Sequence, residues 1–278
     1  MDESFTEPGG FLPPSLPSPA PSNASHSSTS SNLPHPRTNP LRAGSAKEEA
    51  ARRYVEGRLL HISRRYTKKF QPPEEGDDVR GYESMADVSK DLAEVVDVLW
   101  LSGTRMFLIL TVLVIPDQDI ASLQIPYLLN IALAVTSYLP AFPAAPKATF
   151  GLLRKLDHAF ASLLMGEDTI TGEILPGFAT GKRAGMSRTD MVRCKSLVNE
   201  TRVLIVEVMS KGEIDAEDES MTGSETETDA MSIDMESAWD ADEDKHNMDV
   251  ARVYEGTILQ LGEILEYKTG YDADSGQS

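Results

Sequence analysis

The feature that most constrains this chain is a spacing of three and four residues between apolar side chains, which is found in six separate segments. This spacing gathers apolar side chains on one face of an α-helix. In the first segment the apolar stripe consists of Ala51, Val55, Leu59, Ile62, Tyr66 and Phe70. Turns that contain proline or glycine join the segments, and none of the six shows the alternation of a strand. We therefore predict an all-α fold, a bundle of about six amphipathic helices.

Three of the predicted helices begin at a serine that is suited to cap them. Ser45, Ser84 and Ser187 each stand three residues before a Glu or Asp, which is the spacing of an N-terminal cap. The sixth helix is predicted to run from Met248 to Tyr267. Its apolar stripe consists of Val250, Tyr254, Ile258, Leu261 and Leu265.

Composition divides the chain into ordered and disordered parts. Residues 1–44 are rich in Pro and Ser, and the stretch from Lys211 to Asn247 holds fourteen Asp or Glu and two Lys. Such segments bury little apolar surface, so we predict a disordered arm at 1–44 and a disordered acidic linker at 212–247. The helical domain is then 45–267, and 268–278 is predicted to be a disordered tail.

The acidic linker contains four hydroxyl residues that each precede an acid by three positions. They are possible phosphorylation sites: Thr222, Ser224, Thr226 and Ser237. A phosphate at any of them would add further negative charge to an interaction segment. The plainer interpretation is a solvated spacer, which is the commoner role of acidic tracts.

Residue patterns that support catalysis or metal binding are missing from the sequence. The stretch from Pro176 to Arg183 comes closest to a phosphate-binding loop, but its first glycine is one position off and no Ser or Thr follows its lysine. No histidine stands in a metal-binding spacing, and Asp157 and His158 diverge by about 100° on a helix. Cys194, the single cysteine, lies on an apolar stripe, which indicates a buried thiol and a reducing compartment, the cytosol or the nucleus. We expect no enzyme activity, no cofactor, no metal and no small-molecule substrate.

The first predicted helix, at 47–69, is the one strongly basic element in a chain whose net charge is -18. Its candidate partner-binding residues are Arg52, Arg53, Arg58, Arg64, Arg65, Lys68 and Lys69. A solvated cationic face is one interpretation, and docking onto an acidic surface is the other. Arginine suits paired contacts to carboxylate or phosphate. Because the net negative charge disfavours direct binding to nucleic acid, we favour a protein partner.

Five stretches of the chain are informative as a set: LPHPRTNPLRAGSAKEEAARRYVEGRLLHISRRYTKKF, SLQIPYLLNIALAVTSYLPAFP, ATFGLLRKLDHAFASLL, MSRTDMVRCKSLVNETRVLIVEVMSKG and MDVARVYEGTILQLGEIL. Together they resemble a fungal family, the small eleventh subunit of the general transcription factor TFIIH. The resemblance runs from Leu33 to Leu265 and leaves out the acidic block and Arg105 to Ala121. It implies a nuclear, non-enzymatic regulator of RNA polymerase II initiation, which binds the DNA translocase subunit of TFIIH and promotes its dissociation. The alternative, from charge alone, is an acidic nuclear adaptor that binds nucleic acid or chromatin through helix 47–69.

An apolar run, MFLILTVLVI at 106–115, interrupts the helical pattern. It ends at Pro116 and has about half the length of a membrane span, so we expect no membrane anchor. A buried strand or core helix is one interpretation, but a lone strand would leave its backbone groups unpaired. In the family that the chain resembles, the flanking residues run almost directly into each other. We therefore treat 104–121 as an insertion and hypothesise that 105–121 is translated from an unspliced short intron.

Overall fold

The structure is a computed structural model, and it describes residues 33–37, 39, 41–42, 44–72, 79–103, 124–176, 178, 185–211 and 248–274, with the side chains of the last range as far as Leu265. Within these ranges the chain forms six α-helices and no β-strand. They are α1 (Ala46–Lys68), α2 (Met85–Leu101), α3 (Gln124–Tyr138), α4 (Pro146–Met165), α5 (Arg188–Ser210) and α6 (Glu255–Asp274). A short 3-10 turn, Leu139–Ala141, follows α3. The predicted all-α fold is confirmed.

Five of the helices close a ring around the core. α2 packs against α3 and α4, α3 against α5, α5 against α6, and α6 against α4, while α1 covers α2 from outside the ring. The apolar face of α2 consists of five side chains with no exposed surface: Val88, Leu92, Val95, Val96 and Leu99. Burial of each such aliphatic side chain contributes about 1.5–3 kcal/mol relative to exposure. The core therefore lies where the apolar stripes of the ring helices meet.

The predicted helix starts are confirmed at all three serines. The hydroxyl oxygens of Ser45, Ser84 and Ser187 accept hydrogen bonds from the backbone N–H three residues on, at 3.3, 3.1 and 3.1 Å. Each bond satisfies a backbone donor that the helix itself leaves unpaired. α4 ends at Gly166, whose φ of 80° is the left-handed conformation that stops a helix.

The sixth helix differs from its prediction. A single turn at 248–251 is followed by a break, and α6 itself begins at Glu255. The break lies at Tyr254, whose φ of 56° is outside the helical region. The buried Tyr254 ring thereby packs beside Phe160, with 6.3 Å between ring centroids. α6 then continues to Asp274, into the segment 268–278 predicted to be a disordered tail.

Part of the predicted N-terminal arm, 1–44, contacts the helical bundle. The indole Nε1 of Trp100 donates to the carbonyl of Pro34 at 2.8 Å. The backbone N–H of Leu41 donates to the carbonyl of Gly103 at 2.7 Å, and Leu41 is buried. These contacts from the range 33–42 therefore hold the chain against the C-terminal end of α2. Composition alone does not reveal them.

The predicted insertion at 104–121, with its intron hypothesis, lies outside the described residues, and so does the acidic linker at 212–247. The described chain ends at Gly103 before the insertion and resumes at Gln124 after it. The side-chain Nε2 of Gln124 donates to the carbonyls of Leu99 and Trp100, at 2.9 and 3.2 Å. The residue that begins α3 thus caps the end of α2. No helix in the described ranges is both long enough and apolar enough to cross a membrane.

Candidate partner-binding surface

The structure divides the seven predicted cations of α1 into an inward set and an outward set. Arg58 and Arg65 both face α2. Arg58 Nη2 lies 3.1 Å from Asp91 Oδ1 and 2.9 Å from Glu94 Oε2, and Arg65 Nη1 lies 2.9 Å from Asp91 Oδ2. Both guanidinium groups and Asp91 are largely shielded from solvent. These contacts fasten α1 to α2, so neither arginine projects its full charge outward.

Asp91 also receives a third donor, which completes the contact between α1 and α2. The Tyr82 hydroxyl donates to Asp91 Oδ2 at 2.6 Å. Burial raises the pKa of Tyr82, and the hydrogen bond to the charged Asp91 raises it further, so the hydroxyl keeps its proton. The guanidinium carbon of Arg65 lies 3.9 Å from the centroid of the Tyr82 ring, a cation–π contact.

The last turn of α1 is held against the end of α3 and the residues that follow it. Lys69 Nζ lies 4.2 Å from the centroid of the Phe142 ring. The Tyr66 ring packs 4.2 Å from that of Tyr138, and its hydroxyl donates to the carbonyl of Ser137 at 3.2 Å. Lys69 is therefore also engaged within the protein. Lys68 is partly buried.

The outward set consists of exposed arginines on the far side of α1. Arg52, Arg53 and Arg64 are exposed, and Arg53 Nε makes an exposed ion pair with Glu49 at 3.1 Å. Leu60, which is 54% exposed, lies between Arg53 and Arg64 at helical spacing on the side away from α2. We name Arg53, Leu60 and Arg64 the outer face of α1. Its two guanidinium groups are donors of the kind that bind carboxylate or phosphate groups.

A group of polar contacts that the sequence did not reveal fixes the loop after α4. His158 Nε2 and Asp168 Oδ1 are 2.7 Å apart, and both side chains are buried. Ser162 Oγ, also buried, accepts a hydrogen bond from the Thr169 backbone N–H at 3.1 Å. Ser, His and Asp recur in catalytic triads, but here Ser162 bonds to the loop backbone, so these contacts position the loop.

Asp157 points away from its neighbour His158, as predicted. Its carboxylate accepts hydrogen bonds from the backbone N–H of Thr257 at 2.7 Å and of Gly256 at 3.2 Å, at the start of α6. The adjacent core contains Cys194, which is fully buried as predicted. Burial raises the pKa of its thiol to about 12, so the thiol stays protonated near neutral pH.

A cavity of about 550 Å³ opens between α4, the loop after it and the start of α6. Its polar wall residues Asp157 and Asp168 bond to neighbouring groups, and Arg154 Nη1 lies 3.5 Å from Asp249 Oδ1. Within the described ranges, no three His, Cys, Asp or Glu side chains converge as metal ligands would. The charged side chains named here therefore bond to neighbouring parts of the fold.

Comparison with known protein families places part of this chain in a family. The family model of subunit 11 of the general transcription factor TFIIH matches residues 81–262. The match begins just before α2 and ends in the second turn of α6, so α1 lies outside it. Neither the curated proteins nor the solved structures contain a match to this chain.

Proposed function

Since the chain belongs to the family of subunit 11 of the general transcription factor TFIIH, we propose that it binds the DNA translocase subunit of that complex and promotes its dissociation. Membership itself gives a role in transcription as a TFIIH subunit, with TFIIH subunits as partners and the nucleus as the general location. The match over 81–262, which spans α2 to α5 and the first two turns of α6, is the observation that carries the proposal.

We further propose that this role is regulatory and non-enzymatic. The polar groups with the most suggestive chemistry all have structural partners: Asp157 bonds the start of α6, and His158 bonds Asp168 in the loop after α4. Cys194 is a protonated, buried thiol. The ionisable groups named here hold the protein's own helices and loops together. This suits a protein that acts by binding to the surface of a partner.

The predicted cations of α1 contribute to this proposal in a narrower form. Arg58, Arg65 and Lys69 are engaged within the protein, whereas Arg52, Arg53 and Arg64 are exposed. We propose the outer face of α1 as a contact for an acidic segment of the partner. Exposed charges mainly raise the rate of encounter and make it sensitive to salt.

Purified TFIIH that contains its translocase subunit tests the proposed function directly. The full chain is immobilised, the complex is passed over it, and both the retained and the eluted subunits are measured. We expect retention of the translocase subunit and its depletion from the eluted complex. Elution of intact TFIIH, with no subunit retained, would overturn the proposal.

The alternative, an acidic nuclear adaptor, rests on the exposed arginines of α1, which lie outside the family match. It predicts salt-sensitive binding of duplex DNA that is lost in the triple variant Arg52→Gln, Arg53→Gln, Arg64→Gln. Arg65 stays unchanged in this variant because it anchors Asp91. DNA binding that is absent at low salt would eliminate the alternative and leave the TFIIH proposal untouched.

A further inference from the structure

α5 carries a second stripe on the side that faces solvent. Its members alternate at spacings of three and four residues along the helix, none is charged, and all are exposed. We name this set the α5 seam: Thr189, Val192, Ser196, Asn199, Val203, Val206 and Ser210. The three valines are 53%, 68% and 56% exposed in chain order. At 1.5 Å per residue the seam is roughly 30 Å long.

The α5 seam lies opposite the face that α5 buries in the ring. Six of the seven buried residues of α5 follow the same spacing: Met191, Cys194, Val198, Thr201, Ile205 and Val208; the seventh is Leu197. Each of the six stands two positions after a seam residue, so at 100° per residue the two stripes are about 160° apart on the helix. Packing of α5 into the ring therefore does not use the seam. A continuous uncharged strip with alternating spacings of three and four is the surface that one helix offers to another.

The two borders of the α5 seam carry different charges. One border consists of Arg188, Lys195 and Arg202, at seven-residue spacing, and the other consists of Arg193, Glu200 and Glu207 at the same spacing. Glu207 Oε1 also pairs with Lys211 Nζ at 3.0 Å. Arg202 is anchored, since its Nη1 donates to the carbonyl of Val253 at 2.9 Å. Arg188 and Lys195 are exposed. A helix laid along the seam would therefore be favoured by acids beside Arg188 and Lys195, while the other border, with charges of both signs, sets no single charge for the partner.

Side-chain size indicates what the opposing helix must supply. Four of the seven seam positions are Thr, Ser or Asn, so the seam is shallow at those points and leaves space for large apolar side chains. A second copy of this chain would bring its own small polar residues to the same place and bury little apolar surface. A partner helix with leucine-sized residues at spacings of three and four fits better.

We infer that the α5 seam is the docking site for an amphipathic helix of a TFIIH subunit, one with large apolar side chains at spacings of three and four and acids along the edge beside Arg188 and Lys195. This inference rests on the proposed function and names the surface that it uses. The whole seam lies within the residues that the family model matches, unlike the outer face of α1.

The test compares full-length variants for retention of purified TFIIH. The double variant Val203→Glu, Val206→Glu places charges in the seam, and Leu259→Glu on α6, at a residue that is 61% exposed, is the matched control. We expect the seam variant to bind at least about 10-fold more weakly and the control to bind like wild type. Lys195→Glu, at the border, should weaken binding less and alter its salt dependence.

Circular dichroism and the urea midpoint report the fold of each variant, and both valines are exposed enough that we expect no change. If the glutamates nevertheless disturb the helix, Val203→Ser with Val206→Ser keeps the test available, with a smaller loss of binding. Full TFIIH retention by both seam variants would overturn the inference but leave the proposed function intact. The inference would also be overturned, and the proposed function left intact, by a third result. In that result the wild-type chain is dimeric by light scattering, the seam variant is monomeric, and both retain TFIIH. Failure of the wild type to retain TFIIH would instead overturn the proposed function.

Discussion

At the scale of single residues, Asp157 organises a helix to which it does not belong. It lies in α4, yet its Oδ1 atom accepts hydrogen bonds from the backbone N–H and hydroxyl of Thr257, at 2.7 and 2.6 Å, in the first turn of α6. A carboxylate at a helix N-terminus satisfies unpaired N–H groups and interacts favourably with the helix dipole. Gly256 suits the contact, since a Cβ there would lie 3.2 Å from Asp157 Oδ2.

Replacement of this carboxylate should loosen α6. We expect Asp157→Ala to lower the free energy of unfolding by about 2 kcal/mol, because it leaves buried N–H groups without an acceptor. Urea unfolding measures the change. Asp249→Ala is the control, since Asp249 contacts the partly exposed Arg154 at 3.5 Å and should contribute less than about 1 kcal/mol. Equal stability of wild type and Asp157→Ala would mean that α6 does not depend on this contact.

Asp168 should make the free energy of unfolding vary with pH in the acid range. Burial alone would raise the pKa of Asp168, but hydrogen bonds from Ile170 N–H and from His158 outweigh burial, and the pKa lies below its ordinary value of 3.8. A carboxylate with a lowered pKa stabilises the fold above its ordinary pKa, and this contribution is lost as pH falls through the lower folded value. Asp168→Asn should therefore cost about 1–3 kcal/mol at pH 7. In urea unfolding series from pH 7 to pH 2.5, the gap between wild type and variant should narrow only below about pH 4. A gap that stays constant to pH 2.5 would contradict the assignment.

At the scale of elements, the link between α1 and α2 converges on one acceptor. Asp91 accepts from Arg58, Arg65 and Tyr82, and its side chain is 16% exposed. Asp91→Ala removes this acceptor from Arg65 and Tyr82 and leaves Arg58 with Glu94 alone, so we expect the free energy of unfolding to fall by about 2–3 kcal/mol. Glu94→Ala removes an acceptor that is 51% exposed and should cost less than about 1 kcal/mol. Urea midpoints for the two variants check the difference, and similar losses in both would refute the central role of Asp91.

The same two helices show what the sequence could predict. The caps at Ser45 and Ser84 each depend on residues three positions apart, so local spacing was sufficient to find them. The partners of Arg58 lie 33 and 36 residues away, and the acceptor at the start of α6 lies 100 residues before Thr257. Local spacing carries no information on such pairs. The left-handed Tyr254 was missed for the same reason, because its ring lies against a residue of α4.

At the scale of the whole molecule, the ring of helices brings together the described residues that flank the predicted insertion, with Gln124 beside the end of α2. The Gln124 side chain, just after the insertion, bonds to the carbonyls of Leu99 and Trp100, just before it. A loop that leaves and re-enters the fold at one place adds mainly loop-closure entropy, which changes slowly with length. The contacts of Gln124 are compatible with either a short or a long connection.

Removal of residues 105–121, which joins Thr104 to Ser122, should therefore preserve the bundle. We expect the same helical circular dichroism signal and a free energy of unfolding within about 1 kcal/mol of the full chain. Urea unfolding of both chains provides the measurement. Loss of cooperative unfolding on deletion would show that the segment contributes to the core, and it would weigh against the intron hypothesis.

The position of α6 has a consequence for how the protein is made. α6 completes the ring between α4 and α5, yet it follows the acidic block at 212–247 in the chain. At a synthesis rate of roughly 5–20 residues per second, those 36 residues take about 2–7 seconds to emerge. During that interval the nascent chain presents the apolar faces of α4 and α5 without their cover. The negative charges of the acidic block repel the same block on other chains during this interval. The segment that delays completion of the helical ring therefore also opposes aggregation until α6 has been made.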